Sequence, residues 1–422
     1  MKPLRFCFLT TFYPPYHFGG DAIGIQRFAR GLVARGHEVT VVHDVDAHAT
    51  LSSTQAGTEP EPEVDGVATI PLRTGAGPLS SLLTQQVGRP VLNGRRIRRI
   101  LDDGRFDVVN FHNISLVGGP GLLSYGERSV RLYMAHEHWL VCPSHVLWRH
   151  GRELCTGREC LRCVLHYRRP PQAWRYTGYL ERQLDNVDAF IAMSEFSRRK
   201  HQEFGFSRDM EVLPYFLPDD EPERSQSGAP PHPRPYFLFV GRLEKIKGLD
   251  DVIPLFRDYP GADLLVAGDG EYAETLRAQA AGIERVRFLG RVPMDTLRSY
   301  YAHALALIVP SVCFETFGII LIEAFRYTTP VLARRLGPFP EIVEQAGGGE
   351  LFETQAQLLD AMRRMQEDRG YRDRLAHAGR LAFESYWSEE AVMPRYLDIV
   401  RRAAERRQRH DLAVALAPVE VA

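Results

Sequence analysis

Two carboxylates eight residues apart, Glu315 and Glu323, dominate the stretch from Val309 to Glu344, VPSVCFETFGIILIEAFRYTTPVLARRLGPFPEIVE. The run from Ile319 to Phe325 is apolar on nearly every side of a helix except at Glu323, which predicts a buried carboxylate. Burying one is costly unless a donor reaches it, so a neighbour or a ligand must satisfy Glu323. Glu315 stands beside Phe317 and Gly318, where the strand-to-helix turn is expected. If the segment is mostly helical, the two carboxylates are about 12 Å apart. That span suits a ligand with hydroxyls at both ends and an anionic centre, which the N–H groups at a helix start would meet. A nucleoside diphosphate sugar has this layout. The alternative is a solvated Glu315 and a core ion pair at Glu323.

Other residues extend the pattern. Arg242 and Lys247 follow the apolar segment Tyr236–Val240, on the turn where two cations could neutralise a diphosphate or simply be solvated. Near the N-terminus, the apolar segment Leu4–Thr11 precedes Gly19-Gly20 and a helical pattern, so backbone could approach a ligand there. His112 and His136 each follow a strand pattern, at the carboxyl ends where open parallel sheets place their ligands. Gly268-Asp269-Gly270 lacks the third glycine of a dinucleotide fingerprint, and no Walker sequence occurs.

Four cysteines, Cys142, Cys155, Cys160 and Cys163, fall within 22 residues, two of them as Cys-Leu-Arg-Cys. An all-thiolate zinc clip that pins an excursion from the sheet is one reading. Their spacing does not match the common paired ribbon, and free thiols are the other reading, with an iron–sulfur cluster behind both.

The elements that must position these residues are legible as repeated strand and helix patterns. The chain has 422 residues, 44% hydrophobic and 25% charged, with a net charge of -1, enough for two α/β domains and with no charge signature of nucleic-acid binding. The first domain is expected over residues 1–217, with the Cys-rich insertion at 142–166. Prolines and small polar residues at 218–235 mark a linker. A second parallel α/β domain is expected over 236–389, and a final helix over 390–410. Residues 47–65 read as a surface loop. The helix carrying Arg95, Arg96, Arg98 and Arg99 offers either a solvated face or a peripheral contact with an anionic, lipid-bearing surface. No apolar run approaches the ~18 residues of a membrane helix, so a cytoplasmic location, with contact at the inner membrane surface as an extension, is expected.

Taken together, PPYHFGG, MAHEHWLVCP, GRLEKIKG, AGDGEY, CFETFGIILIEAF and LGPFPEIVE resemble the retaining GT-B type glycosyltransferases of the Glu-x7-Glu group, family 4. The resemblance covers nearly the whole chain. It implies two Rossmann-like domains with parallel sheets facing across a cleft, and transfer of a hexosyl unit from a nucleoside diphosphate sugar to a hydroxyl acceptor. Glu323 would bind the ribose and Glu315 the donor sugar's hydroxyls. Phe317, Gly318 and Ile319 would offer backbone N–H groups, while Arg242 and Lys247 hold the diphosphate. Gly19 and Gly20 would line the cleft from the other domain, and His136 would contact the sugar near its anomeric carbon. The last helix would cross back to the first domain, anchored by Trp387 and Tyr396. No cofactor or metal is implied for the chemistry. The chain departs from the family in having His136-Glu137 for His-Asp and Thr328-Thr329-Pro330 for Gly-Thr-Pro. A non-catalytic nucleotide-sugar scaffold is the alternative.

Overall fold

The computed structural model describes residues 3–51, 66–218 and 229–417. The chain divides into two compact units, Met1–Pro214 with Val392–Ala422, and Tyr215–Ala391. Most of the proline-rich segment expected as a linker, 219–228, lies outside the described residues.

The first unit is built on a parallel sheet. Its strands are β1 (Arg5–Leu9), β2 (Glu38–Asp44), β3 (Val67–Leu72), β4 (Val108–Phe111) and β5 (Val130–Ala135). A two-stranded antiparallel ribbon follows, β6 (Trp148–Arg149) with β7 (Glu153–Leu154), and then β8 (Ala189–Ala192) and β9 (Met210–Val212). The sheet order is β3-β2-β1-β4-β5-β8-β9. Every residue of β4, β5 and β8 is buried, as expected where helices cover both faces of a parallel sheet. The helix Gly20–Ala34 connects β1 to β2 and buries Ile25, Phe28 and Leu32.

Two expectations are corrected here. Val45–Leu51, the start of the expected 47–65 loop, is helical: the Asp44 carboxylate accepts from the Ala47 N–H at 3.2 Å and initiates the turn. Trp387, expected with Tyr396 as an anchor of the last helix, falls within the second unit. There it is stacked on Phe325 with ring centroids 5.9 Å apart.

Tyr396, on the final long helix Glu389–Arg406, is fully buried in the first unit. Its ring meets Phe28 at 5.5 Å and its hydroxyl accepts from Asn110 Nδ2 at 3.1 Å. A hydrogen bond thus ties the middle strand of this sheet to a residue 286 positions away.

The second unit has β10 (Tyr236–Val240), β11 (Asp263–Ala267), β12 (Val286–Gly290), β13 (Leu307–Val309), β14 (Val331–Arg334) and β15 (Gly349–Phe352), in the order β12-β11-β10-β13-β14-β15, all parallel. Strand order reverses between β10 and β13, and ligands of such sheets gather beyond the carboxyl ends of the strands flanking that reversal. The turns after these two strands are tied together. Val312 N–H donates to Ile246 O at 2.9 Å, and Gly248 lies against the Pro310 carbonyl at a φ of +74°. A side chain at position 248 would run into that carbonyl oxygen. The turn Gly268-Asp269-Gly270 is likewise a backbone brace, receiving Leu243 N–H on Asp269 O at 3.0 Å.

Two outcomes follow for stability. Gly248→Ala forces a methyl into a left-handed position with no room, and should lower unfolding free energy by about 2 kcal/mol or more. An unchanged urea midpoint would refute the tight approach. Tyr396→Ala should cost ~3–5 kcal/mol and release hydrogen-exchange protection in β1 and β4 of the first unit. Protection left at its original level would contradict the tie.

Candidate functional site

The turn after β10 carries Arg242 and Lys247, and the turn after β13 carries Ser311 and Glu315. Lys247 Nζ donates to Glu315 Oε1 at 2.8 Å, and Ser311 Oγ donates to the same oxygen at 2.7 Å. Burial by itself would raise the Glu315 pKa, but the Lys247 charge and the two hydrogen bonds outweigh it and hold the carboxyl below its usual range. Lys247 is held protonated by the same pairing, which outweighs the burial that opposes its charge. Arg242 is different. Its side chain is 54% exposed, beside Glu244 at 2.5 Å, so the guanidinium faces solvent at the carboxyl edge of the sheet.

The helix Ile319–Arg326 begins at Gly318, whose φ of +110° and closeness to the Phe339 ring, 2.7 Å from where a Cβ would stand, exclude a side chain. No side chain caps this helix start. The stretch from Glu315 to Gly318 is not helical, so the separation expected from a continuous helix does not apply to its first half. Glu323, one turn further on, is 7% exposed, and its Oε2 accepts from the Tyr301 hydroxyl at 3.0 Å. Tyr301 is itself fully buried and stacked on Tyr327 at 5.7 Å. Arg334 donates to Pro310 O at 3.0 Å and to Asp251 at 2.6 Å, bracing the turn between β13 and Glu315. Cys313 in that turn is buried, which pushes its thiol up to about 12 and leaves it inert as a nucleophile.

The expected residues of the first unit also gather at strand ends. Gly19 is the N-cap of Gly20–Ala34, in extended backbone and without a side-chain cap. His112 Nδ1 and His136 Nε2 are 2.8 Å apart with rings stacked at 5.1 Å. Burial lowers the His136 pKa to about 3 and that of His112 well below its usual value. Both rings are therefore neutral near pH 7, one nitrogen donating to the other. Asn113 donates to Asp21, whose carboxyl is raised chiefly by burial and next by Glu137. Glu137 in turn meets His145 Nδ1 at 2.9 Å.

Sequence reasoning missed Tyr301, Ser311, Arg334, Asp21 and Asn113. The requirement that something satisfy Glu323 was readable, but no spacing rule selects a tyrosine 22 residues earlier. Ser311 at four residues before Glu315 was the one local signal.

The arginine-rich helix is Gly94–Gly104; Ile97 and Leu101 are buried and Arg98 lies over the Tyr125 ring at 4.8 Å. Among the described residues, no helix is long and apolar enough to cross a membrane. All six cysteines are free. Among the described residues, no three His, Cys, Asp or Glu side chains stand, as placed, in a group able to hold a metal ion.

Residues 18–221 match the family described as Glycosyltransferase Family 4, and residues 220–382 match Glycosyl transferases group 1. Among curated relatives, the phosphatidyl-myo-inositol mannosyltransferase of Mycobacterium leprae is 27% identical over 89% of this chain and 92% of its own. A glycogen synthase of Thermus thermophilus is 39% identical, but over only 31% of this chain and 30% of its own. Among solved structures, sucrose-phosphate synthase from Thermosynechococcus elongatus superposes with a TM-score of 0.69 at 17% identity, over 98% of this chain and 100% of its own. HepE from Anabaena, solved in complex with UDP-glucose, gives 0.62 at 17% identity, over 96% and 99%. With residues 18–382 matched by the two family models in succession and two Rossmann-like parallel sheets of the GT-B kind, the chain belongs to the group 1, family 4 glycosyltransferases.

Proposed function

We propose that the protein is a retaining hexosyltransferase that uses a nucleoside diphosphate sugar as donor and a hydroxyl group as acceptor. The observation that carries this reading is the Lys247–Glu315 pair beside an uncapped helix start, at the point where strand order reverses. In this reading Glu323 takes the ribose hydroxyls, held in place by Tyr301. Glu315 takes the hydroxyls of the donor sugar, and Phe317, Gly318 and Ile319 give backbone N–H groups to sugar and phosphate. Arg242 and Lys247 bind the diphosphate. His136, Gly19 and Gly20 are assigned to the reacting sugar by family resemblance. The donor bound by HepE agrees in chemical class with this assignment.

Charge dictates the roles. As the glycosidic bond stretches, negative charge grows on the departing diphosphate and an oxocarbenium ion forms on the sugar. Lys247, Arg242 and the helix start stabilise the former, a role that needs no divalent metal in this reading. Glu315, already engaged by Lys247 and Ser311, orients and stabilises rather than attacks, unlike the nucleophile of a retaining glycosidase. Attack by the acceptor on the same face, with the leaving phosphate accepting its proton, keeps the anomeric configuration. The acceptor is a glycan, glycolipid or natural-product hydroxyl. Catalysis is placed on the cytoplasmic side, with peripheral membrane contact through the arginine-rich helix.

Titration with UDP-, GDP-, ADP- and dTDP-sugars, followed by nucleotide release, tests the reading directly. Glu323→Ala and Arg242→Ala should each weaken donor binding at least about fivefold, ~1 kcal/mol. Unchanged affinity in both would remove the site, and tight donor binding with no turnover on any acceptor would favour a scaffold. Because burial keeps His136 neutral until its pKa of about 3, kcat/KM should show no His136 limb between about pH 5 and 8. His136→Gln should lower the profile without changing its shape; loss of a limb near pH 6.5 would contradict this.

A further inference from the structure

Between β5 and the short helical turn Ala173–Tyr176, the excursion that leads to β8 has little regular structure: a ribbon of two residues per strand and a helix of seven, Cys160–His166. Yet four of the seven described non-glycine residues with positive φ lie in it or at its end, namely His145, Leu147, His150 and Arg168. Backbone held in such conformations persists only where the surroundings over-determine it. Backbone bonds such as His138 N–H to His145 O and His145 N–H to Cys142 O, both at 3.0 Å, hold part of it, and they converge on the turns that carry the cysteines.

What the segment does have is convergence of sulfur. Cys142 closes the turn after Trp139, its N–H on His138 O at 2.7 Å. Cys155 leaves the ribbon paired to Leu147 O at 2.8 Å. Cys160 and Cys163, three apart on the short helix, share one face. All four line a single cavity of about 20 Å³, with Leu147, Trp148 and Val164 among its walls. That volume is the size of one small ion or one water molecule, and the four sulfurs outnumber the other polar lining residues, Ser144, Arg149 and Glu159. The His150 N–H donates to Cys163 Sγ at 3.4 Å, as backbone amides do to thiolates. The Arg175 guanidinium, against the rings of both Trp139 and Trp174, lies within Coulombic reach of Cys142 and Cys160. A tetrathiolate with one divalent cation carries two net negative charges, which a neighbouring arginine offsets.

We infer that Cys142, Cys155, Cys160 and Cys163 bind one zinc ion that staples this excursion to the sheet. The placed sulfurs do not yet share a coordination sphere. Cys155 donates its thiol proton to Gly157 O at 3.2 Å, the orientation of a protonated thiol, and Cys142 Sγ is paired with Ser144 Oγ at 3.2 Å, where either atom can donate. Zinc binding would release the four thiol protons to solvent, end the Cys155 donation, and require the sulfurs to rotate inward to reach Zn–S bonds of ~2.3 Å. The role is structural, because four thiolates close the metal's coordination and leave no open position for substrate. The inference is independent of the donor site in the second unit.

Elemental analysis of the purified full-length chain should give about one zinc per chain, and exchange with Co²⁺ should give the sulfur-to-cobalt charge transfer and red d–d bands of a tetrahedral thiolate site. Cys155→Ser should bring zinc to background and lower the thermal midpoint while leaving donor affinity within about twofold of the original protein. Chelation should lower the midpoint of the unaltered chain, and zinc, not magnesium, should restore it. Four freely titrating thiols after zinc reconstitution, disulfides found by mass spectrometry, or iron–sulfur absorption would each overturn the inference. Should Cys155→Ser fail to fold, metal content and the cobalt spectrum of the unaltered chain still decide.

Discussion

The ion pair between Lys247 and Glu315 is the contact on which the second unit's chemistry rests. It joins the turns after the two strands that flank the reversal of strand order, and those strands are not neighbours in sequence. One charge of each sign in a half-buried setting adds little net stability, since desolvation consumes most of the Coulombic gain. Its value lies in placement. Losing either partner would leave the other charge unsatisfied and let the two turns separate, which explains the surrounding investment in Ser311, Gly248 and Arg334. An anion arriving there meets a lysine already in place.

Glu323 shows the same economy at the other end of the segment. A carboxylate in the middle of an apolar helix is tolerable because Tyr301 donates to it, and Tyr301 is immobilised by stacking on Tyr327. In the first unit, two neutral histidines hold each other by shape, through stacking and a shared hydrogen bond.

Much of this was readable from residues alone, and the reason is periodicity. Parallel strands buried on both faces write themselves as apolar runs, so Tyr236–Val240 was found with its observed bounds. The helix after Gly318 was equally plain. The strands β3, β9 and β15 were not: β3 carries Pro71, which breaks a strand pattern, and the three and four residues of β9 and β15 carry too little pattern to separate them from loop. The side chains that complete the sites were harder still. Tyr301 meets Glu323, and Asn113 meets Asp21, only after the sheet has formed; nothing local in either pair announces the other. The segment 45–51 was misread because composition suggested a loop, whereas one carboxylate, Asp44, was enough to start a helix.

The tie between Asn110 and Tyr396 has a consequence for how the protein is made. The first unit's sheet is complete in sequence by Val212, but the residue that covers Asn110 and Phe28 is not synthesised until the whole second unit has been. At about 5–20 residues per second, the nascent first unit spends roughly 9–37 s with that seat on its middle strand empty. The amino-terminal half is thus born first yet finishes last, and an apolar opening of this kind is where chaperones would find it.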